Sequence, residues 1–180
     1  MRKLIAFGTL MVFAFLAKAQ SSEFHAFKFD IGGGYALPAS GSGTEAGATF
    51  TLQPHYRLTD EFAVGLRYEV AAIGYANTVT GDFKVSALVS GCATAEYYLS
   101  NESFRPFVGA GVGVFDQASA SSNSNTDSTN FTQRKISLGG FPEVGFEIGH
   151  FRFSVAYNLA GGGSNYISFN VGAFFGGGRQ

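Results

Sequence analysis

Charge is scarce in this chain. Asp, Glu, Lys and Arg make up only 14% of its residues, against about 25% in an ordinary soluble domain. The 12 basic and 13 acidic residues nearly cancel, so nothing points to nucleic acid as a partner. Tryptophan is absent and proline occurs four times. The single cysteine, Cys92, cannot close an internal disulfide, so an exported fold must stand without one. No apolar run is long enough for a helical membrane span; the longest, Leu4 to Leu16, falls short of the about 20 residues required. Glycine (25 of 180 residues) and aromatics (16%) are plentiful instead, and the length suits one domain with a full core.

The N-terminus carries the most specific signal. Arg2 and Lys3 form a positive n-region, Leu4 to Leu16 an apolar h-region, and Ala17-Lys18-Ala19 an A-x-A cleavage site. Residues 1–19 therefore read as a signal peptide and 20–180 as one exported domain. The plainer alternative is an uncleaved anchor. No cysteine follows the cut, so lipoprotein processing is not expected. Loss of Arg2, Lys3 and Lys18 leaves the processed chain net acidic.

Beyond residue 26 the chain alternates with period two. Eight runs can be marked: Phe27–Leu37, Ala48–Leu58, Phe62–Tyr75, Phe83–Leu99, Phe104–Phe115, two runs meeting at Gly149-His150, and Tyr166–Phe175. A glycine-first two-residue connection suits a tight primed hairpin turn. It sets Ile148 opposite Phe151, Phe146 opposite Phe153 and Glu147 opposite Arg152. One face of that hairpin is then apolar and aromatic, the other small or charged. Connections alternate too: Thr59–Glu61 and Ser100–Ser103 are short, whereas Pro38–Gly47, Asn77–Asp82 and the Ser/Asn/Thr-rich Asp116–Gln133 read as longer polar loops. A symmetric second turn would set Tyr98 opposite Arg105, close to Glu96. The pattern predicts an all-β, eight-stranded antiparallel up-and-down barrel.

Period alone leaves open which face points outward, since a soluble lipocalin-like barrel has the same period with its faces exchanged. Three features favour lipid outside. The polar face is mostly Gly, Ser, Thr and Ala rather than the Lys and Glu of a soluble exterior. Small residues such as Gly109, Gly111 and Gly113 suit the narrow interior of eight strands. The polar face also holds five charges of each sign: Lys28, Arg57, Arg67, Arg105 and Arg152 with Asp30, Glu69, Glu96, Glu143 and Glu147. No charge falls mid-strand on the apolar face, where Lys or Arg costs about 2–4 kcal/mol near the bilayer midplane. Ile73 and Leu88 break the rule; an apolar residue on the inward parity suggests a bulge or an early loop.

With its signal peptide, its meander and the phrases FRPFVGAGVGVF (104–115) and VGFEIGHFRFSVAYNL (144–159), the chain resembles the small outer-membrane β-barrel superfamily. That group includes OmpX/Ail-like proteins and the membrane domain of OmpA within the porin family. The resemblance implies a Gram-negative outer membrane, with lipids as the surroundings. It also implies a last strand ending on an aromatic residue, here Phe175, with Gly176 to Gln180 trailing.

The ten inward charges are expected to form an interior polar network rather than a catalytic set, because buried charges persist when paired. A hydrolase needs Ser, His and an orienting carboxylate together. His25, His55 and His150 are badly placed for that. The glycine-rich pieces precede no helix and cradle no phosphate, and Asp116 and Asp127 are too sparse for calcium. No cofactor and no metal are expected. The function expected is that of a monomeric, non-enzymatic barrel acting in envelope structure or in surface interaction and adhesion. Its partners would be a surface ligand or other envelope proteins, met through 116–133. The alternatives are a narrow channel or hydrophobic-solute passage resembling OmpW, and a lipid-modifying enzyme.

Overall fold

The computed structural model describes residues 24–39, 44–77, 82–123, 126–161 and 164–179; the signal peptide expected at residues 1–19 lies outside them. Eight strands follow one another: β1 (Phe24–Pro38), β2 (Thr44–Arg57), β3 (Phe62–Asn77), β4 (Asp82–Tyr98), β5 (Phe104–Asn123), β6 (Thr126–Ile148), β7 (Phe151–Asn158) and β8 (Tyr166–Arg179). Each pairs antiparallel with its neighbour in sequence, and β1 pairs with β8 to close the barrel. Closure leaves no edge in the wall, so its backbone groups are satisfied without water.

The alternation decides what each face meets. On β2, Thr49, Thr51, Gln53, His55 and Arg57 are buried inside, while Phe50, and Leu58 just past the strand's end, are exposed outside. Large apolar residues cover the outer wall, Val112 being 70% and Leu138 84% exposed. The faces are therefore those of a barrel with an apolar exterior, and the lipocalin-like exchange is overturned. From Phe104 to Val114 the outward row of β5 is apolar, the length a tilted strand needs to cross a bilayer, about 9–11 residues. Immediately beyond, outward-facing Asp116 meets Arg134 of β6.

The turn between β6 and β7 is the predicted one. Gly149 has φ +59° and no non-glycine residue described has positive φ, the signature of a type II′ turn. Its register sets Ile148 against Phe151, Phe146 against Phe153 and Glu147 against Arg152. Thr59 closes the β2–β3 turn, its hydroxyl accepting from the amides of Glu61 and Phe62 at 3.2 and 3.0 Å.

Four expectations are corrected. Residues 116–133 are not a coil: β5 and β6 continue through them as a paired hairpin, with Ser122 opposite Thr129, to a connection at 124–125 outside the described residues. Pairing holds that segment in strand although neither face is apolar, so the two-residue period vanishes from the sequence. Likewise Pro38–Gly47 is not all loop, since Ala36 pairs with Gly47. The last strand runs to Arg179, not Phe175. A register shift between His25 and Lys28, with Gly176 and Gly177 at φ +74° and +77°, interrupts the alternation there. Tyr98 faces Phe107, not Arg105, because the β4–β5 turn closes with the Leu99 amide on the Pro106 carbonyl.

Ile73 and Leu88 need no bulge. Both are 2% exposed and pack inside with Cys92, Phe115, Phe141 and Tyr166, an apolar layer in the outer half of the lumen. Inward glycines make room for inward rings, Phe141 in this layer and Phe107 nearer the turn end. A Cβ on Gly111 would stand 2.4 Å from the Phe141 ring, and one on Gly145 2.5 Å from the Phe107 ring. Each phenyl lies across the glycine paired with it on the facing strand.

Candidate functional site: the charged interior

Below the apolar layer, towards the turn end, inward side chains of six strands converge on two nodes. Arg152 of β7 reaches Glu96 of β4 at 2.5 Å, Glu147 of β6 at 3.0 Å and Glu143 at 3.5 Å. Glu147 in turn meets Lys28 of β1, and Arg105 of β5 at 3.5 Å. Lys28 also lies 3.1 Å from Asp30. All these groups are buried except Arg105, whose side chain is 15% exposed. Cross-strand pairing puts Glu147 level with both Arg105 and Arg152, so the alternation itself delivers the three side chains to one level.

Two residues outside the predicted set complete this group. His55 stands between carboxylates, its Nδ1 2.8 Å from Asp30 and its Nε2 3.4 Å from Glu96. The Tyr98 hydroxyl lies 2.9 Å from Glu96 and 3.0 Å from Glu147, and receives a hydrogen bond from Lys28 at 3.0 Å. Their inward parity was visible in sequence, but an uncharged type carried no sign of a partner. Aromatic faces seal the flanks: Arg57 over Tyr98 (4.4 Å), Arg152 over Phe107 (3.9 Å) and Lys28 over Phe174 (4.9 Å). Arg57 also donates to the Asp60 carbonyl.

Arg67 and Glu69 form a second, separate group nearer the apolar layer. Arg67 donates to Asn158 and stacks 3.3 Å over Phe141, with Glu69 at 3.8 Å. Glu69 accepts from the Tyr166 hydroxyl at 2.6 Å and from Asn170 at 3.4 Å. Glu96, placed near Arg105 by the symmetric-turn expectation, is instead paired with Arg152.

Chemically, these are fixed ion pairs. His55 faces carboxylates on both ring nitrogens, while His150 sits in the β6–β7 turn with Nδ1 3.3 Å from the Phe174 carbonyl. Among the described residues no cluster of His, Cys, Asp and Glu could hold a metal ion. Outside the hydrocarbon-facing band, the hydrogen bond and charge of Arg134 hold the Asp116 carboxyl below its ordinary range.

A family model described as outer membrane protein beta-barrel domain matches residues 5–173. Among solved structures, the fold is similar to Ail, the attachment invasion locus protein of Yersinia pestis, in complex with the heparin analogue sucrose octasulfate. That match has a TM-score of 0.58 at 15% identity, covering 83% of this chain and 99% of that one. It is also similar to Neisserial surface protein A (0.51, 18% identity, 82% and 94% covered). The outer membrane protein OprG from Pseudomonas aeruginosa matches as well (0.51, 18% identity, 87% and 99% covered). No curated protein sequence matches the chain.

Proposed function

This chain belongs to the outer-membrane protein β-barrel family, whose place is the bacterial outer membrane, and from that premise we propose that it is a filled, non-enzymatic monomeric barrel that works through its outer hairpin. The observation that carries this reading is the occupied lumen. Among the described residues, ion pairs fill the turn-side half and Phe115, Phe141, Leu88 and Ile73 pack in the outer half. On the outer side the wall continues as β3 to β6, with β4 paired to β5 as far as Phe83 opposite Ser122, and the β5–β6 hairpin forms its free margin. Beyond Gly139, β6 pairs only with β5 among the described residues. A long paired hairpin is a stiffer platform than a coil, so less ordering entropy opposes binding. Ail is by name an attachment protein, and a surface role of that kind suits this hairpin; the likeness itself is one of fold.

The signal peptide at residues 1–19 is part of the proposal, with the ten inward charges in a structural, not catalytic, role. The test replaces residues 119–131 by a two-residue Asn-Gly turn in the full chain and compares adhesion of expressing cells to matrix-coated surfaces. The shortened barrel is expected to fold, shown by heat-modified gel mobility, and to lose adhesion. Undiminished adhesion by a folded, surface-exposed variant rejects the reading.

A further inference from the structure

Inside the barrel, against β1 and β8, lies a cavity with about 10 Å³ open to the centre of a water molecule. The register explains its place. Thr51 of β2 pairs with Gly32 of β1, Gly32 with Gly172 of β8, and Gly172 with Arg152 of β7. This inward row crosses four strands and carries side chains only at its two ends. Close backbone approach keeps the middle bare, since a Cβ on Gly172 would stand 2.2 Å from the Ile31 carbonyl oxygen. The inward lining on either side of the row is polar: Asp30 and Gln53 towards the turn end, Ser154 and Asn170 towards the outer end.

We propose that this cavity is a binding site for one water molecule, which bridges Arg152 to Gln53 and completes the charged interior. Size, hydrogen bonding and charge each select that ligand. One water needs about 10–15 Å³ by this measure, so a larger solute does not fit. Gln53 and Arg152 both line the cavity. Each carries a buried polar atom, Gln53 Oε1 and Arg152 Nε, with no hydrogen-bond partner among the described residues. Burying such atoms is costly unless they are bonded. The oxygen needs a donor and the N–H an acceptor, and a water molecule is both at once, whereas a monatomic ion is not. The charge is also already balanced, because the ten inward charges are five of each sign. A cation here would lie against Arg152, and an anion against Asp30, so the site takes a neutral ligand. Asp30 Oδ1 is the third wall atom it can serve: Lys28 lies 3.1 Å away as an ion pair, yet this oxygen accepts no hydrogen bond among the described residues. The site is independent of any role for the outer hairpin.

The whole barrel, extracted from membranes in detergent, is crystallised with bromide as the only halide and, separately, with rubidium as the only alkali cation, alongside Gly32→Ala and Gly33→Ala. The Gly32→Ala methyl enters the cavity beside Thr51 Oγ1, 2.9 Å away, a hydroxyl that can turn aside. Gly33 is the control: it faces outward, and its Cβ would make only an ordinary 3.5 Å contact with the Thr49 carbonyl. The expected result is one ordered solvent peak in wild type and in Gly33→Ala, about 2.7–3.2 Å from both Arg152 Nε and Gln53 Oε1. It should give no anomalous signal from bromide or rubidium and be lost from Gly32→Ala. Heat-modified gel mobility confirms folding, and Ser154→Val replaces Gly32→Ala if that variant does not fold. Absence of the peak from wild type overturns the proposal, as does its persistence in the variant that fills the cavity or its loss from Gly33→Ala. An anomalous bromide or rubidium peak at the site overturns it too, since either makes the occupant an ion.

Discussion

Arg152 joins Glu96, Glu143 and Glu147 across three strands and covers the Phe107 ring. Removing such a partner strands buried carboxylates that water cannot reach, at a cost of about 3–5 kcal/mol. Arg152→Ala is therefore expected to lower the urea unfolding midpoint of the micelle-bound barrel steeply, and exposed Arg134→Ala to lower it far less, since a surface pair is worth little. Equal midpoints for the two variants would contradict the central place given to Arg152. A second residue-scale prediction concerns Gly111. Its missing Cβ is where the Phe141 ring lies, so Gly111→Ala overpacks the apolar layer by about 1–3 kcal/mol. Adding Phe141→Leu should recover part of that loss, which a double-mutant cycle on the same unfolding curves measures. At this scale the sequence was informative about side and silent about partner. Parity placed His55 and Tyr98 inside, yet only the assembled barrel brings β1, β2, β4 and β6 close enough for them to bridge Asp30, Glu96 and Glu147.

Among the elements, legibility followed the hydrocarbon. Where lipid covers one side of a strand, the period-two pattern is sharp, and the register of β6 against β7 could be read residue by residue from Gly149-His150. Past Val114 and Leu138 neither face needs to be apolar, so the pattern fades and a paired hairpin reads as a coil. At β8 the cause differs: the bulge opposite His25 and the two positive-φ glycines break the alternation while the pairing continues. The Asp116–Arg134 pair marks the outer border and makes a pH prediction. The Arg134 hydrogen bond lowers the Asp116 pKa, so its contribution is fully present above the ordinary aspartate value of 3.8 and is lost as pH falls through the lowered folded value. Followed by NMR in micelles, the Arg134 Nε–H resonance should hold steady down to pH 3.8 and shift only below it. A shift centred above 3.8 would show that the pair is open in solution.

As a whole, the molecule is layered along its axis: ion pairs at the turn end, then Arg67 and Glu69, then an apolar layer, then the outer continuation of β3 to β6. In the filled-barrel reading two packed plugs lie in series, the apolar layer on the outer side and the paired charges at the turn end, and each alone bars ions: the first offers no hydrogen-bonding path, the second occupies the space with side chains already paired to one another. Relaxing either alone should leave the other closed. Wild-type barrel in planar bilayers is expected to be silent, and so is a Phe115→Ala/Phe141→Ala variant, because the Arg152 and Glu147 nodes still block the turn end. Combining those substitutions with Arg152→Ala should produce discrete openings, provided the folded fraction on heat-modified gels confirms insertion. Openings in wild type would favour the channel reading. Openings in the aromatic double variant alone would show that the charged half of the lumen carries no barrier of its own.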